Sequence, residues 1–257
     1  MNGVIVLNLW QFGAVYLLLV VVLAIMKKCR INQSKLLLTA SLRMTVQLVL
    51  AGFVLTYIFQ NPHPVFVLLY LSAMIGLAIY TVLNRNKGIN RRFAVIVGVS
   101  LAGTGLAVIL FFLLGVVGVS FFNPQYTIPI SGMIMGNAMT GVSLGLKTFQ
   151  DSIKTQRSKI DTLINIGATP KSVLLPFVNH ALETALIPTL NSLLGMGIIS
   201  LPGMMTGQIL SGTLPTTAIL YQISIMVAIT TVTCLAVFCS LFFGYRTLYN
   251  SKNQMTL

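Results

Sequence analysis

The chain has 257 residues, of which 56% are hydrophobic and only 7% carry a charged side chain. An ordinary soluble domain is roughly 25% charged, so this supply cannot cover a water-facing surface, and the mean hydropathy of +0.92 agrees. A soluble enzyme, a nucleic-acid-binding module and a disordered tail are excluded, and the net charge of +13 is read first as a topology signal. Cys29, Cys234 and Cys239 lie in or beside apolar runs and make neither a disulfide framework nor a metal knuckle.

A bilayer core needs about 20 mostly apolar residues of helix. In chain order, candidate spans cover residues 7–26, 36–59, 65–83, 93–119 and 128–146. The first lacks a basic leader and a small-residue cleavage site, so it is read as a retained helix rather than a signal peptide. Residues 173–210 follow, too long for one straight helix and interrupted by Pro176, Pro188, Gly195, Gly197, Pro202 and Gly203. They are expected to form an approach helix and then a span from about 187 to 210, broken near its outer end. A last span covers 219–244. The expected fold is an all-α polytopic membrane protein with about seven transmembrane helices.

Lys and Arg collect in cytoplasmic loops. Lys27, Lys28, Arg30 and Lys35 separate the first two spans, and Arg85, Lys87, Arg91 and Arg92 the third and fourth. Lys147, Lys154, Arg157, Lys159 and Lys171 separate the fifth and sixth, and Arg246 and Lys252 follow the seventh. The alternate loops carry none, so 15 of the 16 basic residues share one side. The N-terminus is therefore expected outside and the C-terminus in the cytoplasm.

Chemistry is sparse along the spans. Arg43 is the sixteenth basic residue, one helical turn from Gln47 inside the second span. An intramembrane Arg costs at least about 2.5 kcal/mol on insertion scales. Arg43 either marks a pathway or an anion contact, or snorkels to the nearby cytoplasmic face. Met133, Met135 and Met139, then Met204 and Met205, cluster among glycines; thioethers suit soft metals and also fill gaps between helices. The spacing Gly132-x-x-x-Gly136 permits close helix approach. Pro-Gly breaks within a span are tolerated only against protein or a cavity, so residues 201–207, with Pro202 and Gly203, are expected to line a route. His180 and Glu183 share a helix face, as a metal or proton pair or as a solvated pair at the cytoplasmic interface. Polar span residues such as Gln47 and Asn137 outnumber carboxylates, and no catalytic set is present. Residues 141–148 resemble a P-loop but place Leu146 between the second Gly and Lys147, so no ATP site is expected on this chain.

Residues 147–171 mix charge with Ile160, Leu163 and Ile164 on one helix face. This predicts a short amphipathic helix, ended by Gly167 and followed by a new helix from Thr169-Pro170. It would dock on a partner or lie on lipid headgroups. Gly167-Ala168-Thr169-Pro170 resembles the coupling loop of ABC transporter permeases, in whose importers an acidic residue precedes the glycine by six positions, as Asp161 does here. The downstream part of that importer motif is absent, because Pro176 arrives too early.

Three segments together resemble one family, the FetB/YbbM-type ABC transporter permeases implicated in iron export. They are Ile128-Pro-Ile-Ser-Gly-Met-Ile-Met-Gly-Asn-Ala-Met139, then Ile166-Gly-Ala-Thr-Pro-Lys171. The third runs from Ala185-Leu-Ile-Pro-Thr189 through Ser200-Leu-Pro-Gly-Met-Met-Thr-Gly207 to Tyr221-Gln-Ile223. The resemblance implies one permease domain over 1–257, with a cytoplasmic coupling-helix loop at 148–172, and no enzymatic activity of its own. It further implies a separate cytoplasmic ATPase subunit that holds ATP-Mg, no cofactor on this chain, and two copies of each subunit. The setting would be a bacterial cell membrane, with lipid as the surrounding partner and no nucleic acid. Asp161, Gly167, Ala168, Thr169, Pro170 and Lys171 would couple to the ATPase. Arg43, Gln47, Met135, Asn137, Met139, Pro202, Gly203, Met204 and Met205 are candidates for the translocation pathway; metal ligands are not assigned. The implied substrate is iron moved outward, with another metal or a nucleotide sugar as the alternative, and an ATP-independent secondary transporter as the reading from another class.

Overall fold

The computed structural model describes residues 8–249, which are helical apart from short connections. The helices are α1 (Leu9–Lys28), α2 (Ser34–Gln60), α3 (Pro64–Arg85), α4 (Arg91–Leu110), α5 (Pro124–Thr155), α6 (Arg157–Asn165), α7 (Pro170–Gly195), α8 (Gly203–Leu210) and α9 (Pro215–Gly244). A π-helical segment, Phe111–Val117, prolongs α4, and a 3-10 turn, Tyr245–Leu248, follows α9. Local chemistry sets the helix starts. Asn90 caps α4 by accepting from the Phe93 N–H at 2.7 Å. Asn123-Pro124 and Thr169-Pro170 pair a capping side chain with proline at the first helical position, where its missing N–H costs nothing.

Six of the described helices are long and apolar enough to cross a membrane: α1, α2, α3, α4 with its π-helical extension, α7, and α9 with its 3-10 turn. The seventh expected span lies on α5, which has 32 residues but is the least apolar of the long helices. Position explains the difference, because α5 packs against α3, α4, α7 and α9 and needs little apolar surface for lipid. Ile134, Met135, Ala138, Val142, Leu146 and Phe149 are all essentially inaccessible.

Small residues bring α5 and α9 together. A Cβ added at Gly145 would lie 2.9 Å from Val237 Cγ1 and 3.3 Å from Ala185 Cβ, and one at Gly141 would overlap the Thr233 methyl. The paired steps of four show that α5 and α9 run parallel, so α5 crosses wherever α9 does. Close approach was expected at Gly132 and Gly136, but nothing lies within 4 Å of a Cβ at either. The tight seam falls one turn and more further along the helix.

Three of the four expected basic groups gather at one end of the bundle. Asn86 donates to Ser143 at 3.3 Å and Asn90 donates to the Thr247 carbonyl at 2.9 Å. These bonds gather the α3–α4 loop, the far half of α5 and the end of α9 at one end, which the basic loops assign to the cytoplasm. Lys252 lies outside the described residues.

The segment expected to span 187–210 is arranged differently. One uninterrupted helix, α7, holds both the approach segment and the start of that span, and Pro176 and Pro188 lie inside it. The chain breaks at Gly197 (φ +85°). There the Ile199 and Ser200 amides donate to the Gly195 carbonyl and the Gly197 amide to that of Ser200. These bonds satisfy part of the backbone that the break frees, as a membrane favours. Likewise, the start of the expected loop at 148 is the end of α5, which continues helically to Thr155.

Two helices stand apart. No described side chain of α1 is buried, and Ile58 alone is buried on α2. Gly141→Leu should destabilise the α5–α9 seam by about 1–3 kcal/mol through overpacking. In detergent its thermal midpoint should fall, whereas Gly136→Ala should stay within about 0.5 kcal/mol of the parent.

Candidate functional site

Because α2 barely meets the bundle, it leaves open space on the side of α3 and α5. One cleft of about 760 Å³ lies between α2 and α3, lined by Thr39, Arg43, Gln47, Tyr80, Thr81, Asn84 and Arg85 among others. A second, of about 520 Å³, lies among α2, α3 and α5 and is lined by Arg43, Gln47, Tyr70, Met74, Thr81, Gly132, Met135, Gly136 and Met139 among others. Arg43, Gln47 and Thr81 belong to both, so the two clefts adjoin there as one stretch. From Arg85 to Tyr70 it follows 15 residues of α3, about 22 Å at 1.5 Å per residue. It begins at the cytoplasmic end of α3 and reaches well into the bundle.

Four of the sequence-derived pathway candidates, Arg43, Gln47, Met135 and Met139, therefore converge on one cleft. Gly132 and Gly136 leave that wall open. Met135 contributes little chemistry, since its side chain is buried and its sulfur packs against Gly105 of α4. Asn137 faces elsewhere. It donates to the Met133 carbonyl at 2.8 Å and lines a separate 90 Å³ pocket with Pro188, Thr189, Ser192 and Met226. Pro202, Gly203, Met204 and Met205 are not on the cleft either. Pro202 precedes α8 and Gly203 opens it, Met205 is buried and Met204 packs on the core, and α8 leans on α9.

Sequence reasoning missed the α3 wall. Arg85 counted only as a topology charge, and Tyr70, Thr81 and Asn84 were not singled out. Tyr70, Leu77, Thr81, Asn84 and Arg85 recur at steps of three, four and seven, the signature of one helix face.

At the cytoplasmic end, α6 and the start of α7 form a compact hairpin. The Gly167 amide donates to the Ile164 carbonyl and the Ala168 amide to that of Leu163, both at 3.0 Å, with Gly167 at φ +96°. This is a Schellman stop. Thr169 caps α7, accepting from the Ser172 amide at 3.4 Å, and Pro170 is buried at its first position. Ile160 is buried, with Leu163, Ile164 and Ala168 packed beside it. Asp161 pairs with Arg157 at 3.9 Å in the open, Lys171 is exposed, and Ile166 at the tip is 74% exposed. The hairpin thus holds itself by apolar contacts and displays both charge and an uncovered Ile.

His180 and Glu183 are both exposed on α7. Since α7 runs antiparallel to α5 with Ala185 beside Gly145, Glu183 stands at about the height of Lys147, at the cytoplasmic boundary. Among the described residues no three His, Cys, Asp or Glu side chains gather to hold a metal.

In a background without the native cysteines, Gly136→Cys and Thr81→Cys should react with a polar maleimide applied from the cytoplasmic side of inverted vesicles. Ala138→Cys, on a fully buried position of α5, should stay unlabelled. Equal labelling of all three would mean that α2 does not wall a water-filled cleft.

Comparison with known proteins matches residues 9–249 to UPF0014, described as an uncharacterised protein family. The chain is 33% identical to the Escherichia coli protein named "Probable iron export permease protein FetB", over 94% of this chain and 92% of that one. It is 32% identical to the Bacillus subtilis UPF0014 membrane protein YjkA, over 91% and 93%. With the Arabidopsis thaliana protein named ALUMINUM SENSITIVE 3 it shares 40% identity over 72% and 66%. No solved structure matches. This multi-pass helical chain, matched over nine-tenths of its length by the Escherichia coli and Bacillus subtilis relatives, belongs to the UPF0014 family.

Proposed function

We propose that this chain is the membrane-spanning subunit of an ABC transporter, exporting iron across a bacterial cell membrane with ATP hydrolysed by a separate cytoplasmic subunit. The α6–α7 hairpin carries the reading. It is a hairpin at the cytoplasmic end, stopped by Gly167, capped by Thr169 and buried at Pro170. Its outer face offers Asp161, Lys171 and the uncovered Ile166. A surface groove on an ATPase fits such a knob, and covering Ile166 contributes about 1.5–3 kcal/mol. The name of the Escherichia coli relative supports iron export as the direction and cargo. Two permeases and two ATPases form the working assembly, and Mg-ATP sits on the ATPase.

The coupling is mechanical. ATP binding moves the ATPase subunits, the hairpin follows, and α7 transmits the motion because Pro170 makes the hairpin continuous with it. Ala185 of α7 abuts Gly145 of α5, the helix that walls the cleft, so a tilt of α7 alters the cleft. A secondary transporter would couple to ions through intramembrane acids, and no lining residue of the cleft is acidic. Other metals and nucleotide sugars are the alternative cargo.

Gly167→Trp places a bulky L-residue at positive φ, costing about 1–2 kcal/mol locally, and breaks the stop that shapes the knob. Total-metal mass spectrometry under iron load should show iron rising when the gene is deleted. Wild-type chain with its ATPase should restore it, and Gly167→Trp should not, although it reaches the membrane. Full export by Gly167→Trp would overturn the coupling; unchanged iron on deletion would remove iron as cargo.

A further inference from the structure

The charge of the cleft bears on what passes through it. Arg43 lies about 13 Å along α2 from its cytoplasmic start at Ser34. It lines both halves of the cleft, and Arg85 lines the cytoplasmic half. Neither guanidinium has an ion-pair partner among the described residues. The rest of the lining is neutral, with no Asp, Glu, His or Cys. Gln47, Thr81 and Asn84 supply further hydrogen-bonding groups.

A bare divalent cation fares badly here. Iron(II) prefers oxygen and nitrogen ligands, and the cleft offers no carboxylate or imidazole to replace its water shell. The thioethers of Met44, Met74 and Met139 that also line it do not compensate, because soft sulfur suits Cu(I) rather than iron(II), and Met135 is committed to packing against Gly105. Two unpaired cationic side chains would repel the ion, and in a low-dielectric wall that repulsion is poorly screened. For a phosphate or carboxylate group the same features are favourable. A guanidinium presents a planar fork of donors that grips such groups bidentately, and the bound anion neutralises an Arg that is otherwise expensive at that depth.

We infer that the cargo enters this cleft as an anion, gripped by Arg43 through phosphate or carboxylate oxygens, so that exported iron travels inside a negatively charged complex. The inference rests on the permease reading above and narrows its substrate class. An anionic lipid headgroup carries the same chemistry, and the test separates the two sources.

The full chain is purified into nanodiscs of neutral phosphatidylcholine, and saturable binding is measured for ferric citrate, citrate and iron(II) chloride. Ferric citrate and citrate should bind and compete, and iron(II) should not. Arg43→Gln should weaken both anions about tenfold or more, the loss of one charge-assisted contact, and Arg43→Lys should recover part of that. Saturable iron(II) binding that Arg43→Gln leaves unchanged would overturn the inference. So would anionic phosphatidylglycerol that co-purifies through Arg43 while neither soluble anion binds. Transport separates the two readings. If the ATPase co-purifies and iron is exported, yet Arg43→Gln exports normally, the anionic route fails and the permease reading stands. If no ATPase associates and deletion leaves iron unchanged, the permease reading itself fails.

Discussion

The seam between α5 and α9 is what the rest of the molecule depends on. Gly141 and Gly145 let α5 sit against Thr233 and Val237 with no room for a side chain between them. In a bilayer no hydrophobic force drives helices together, so association rests on dispersion and close backbone approach. Once α5 and α9 are joined, α4 packs on α9, α3 on α5, and α7 on both. The position of every functional wall then follows from one helix, α5. Its face toward α9 is glycine-lined and tight; its face toward α2, at Gly132 and Gly136, is glycine-lined and open. The same residue type thus serves contact on one side and space on the other.

That asymmetry gives the two ends of the chain different mechanical character. The bundle of α3, α4, α5, α7 and α9 has a continuous core from Ala78 to Leu248. The pair α1–α2 holds to it weakly, with the Tyr16 and Thr45 hydroxyls bonded to each other rather than to the core. Relative motion of a weakly packed pair costs less than repacking a close-packed core. A cleft whose one wall is the pair and whose other wall is the bundle can therefore change width without disturbing the bundle.

At the cytoplasmic end, the hairpin is shaped by caps together with a small apolar contact. The isolated pair Arg157–Asp161 contributes only about 0.3–0.5 kcal/mol as an exposed i,i+4 contact. The hairpin's shape comes from Ile160 beneath it, the Gly167 stop and the Thr169-Pro170 start. This places an exposed Ile and charges of both signs at the end of α7, the helix that lies against α5. The proposed docking surface and a cleft wall are thereby connected through the contact of α7 with α5.

Much of this was determined by the sequence itself, for local reasons. Length and hydropathy specify membrane spans because a bilayer demands about 20 apolar residues. The distribution of Lys and Arg sets the orientation, and capping chemistry places the hairpin to the residue at Gly167 and Thr169. Arg43 stood out because charge within a span is costly. Other features belong to the tertiary structure alone. Whether a glycine marks contact or space depends on the facing helix, which is why Gly141 and Gly145 form the tight seam while Gly132 and Gly136 leave space. Asn137 and Met139 are two residues apart yet serve different cavities, because two residues turn a helix by about 200°. Met204 and Met205 read as route-lining from their Pro-Gly break, but α8 leans on α9 and neither lines this cleft. Arg85 joins the cleft only because α2 passes beside α3, a neighbour relation that no periodicity within either helix encodes.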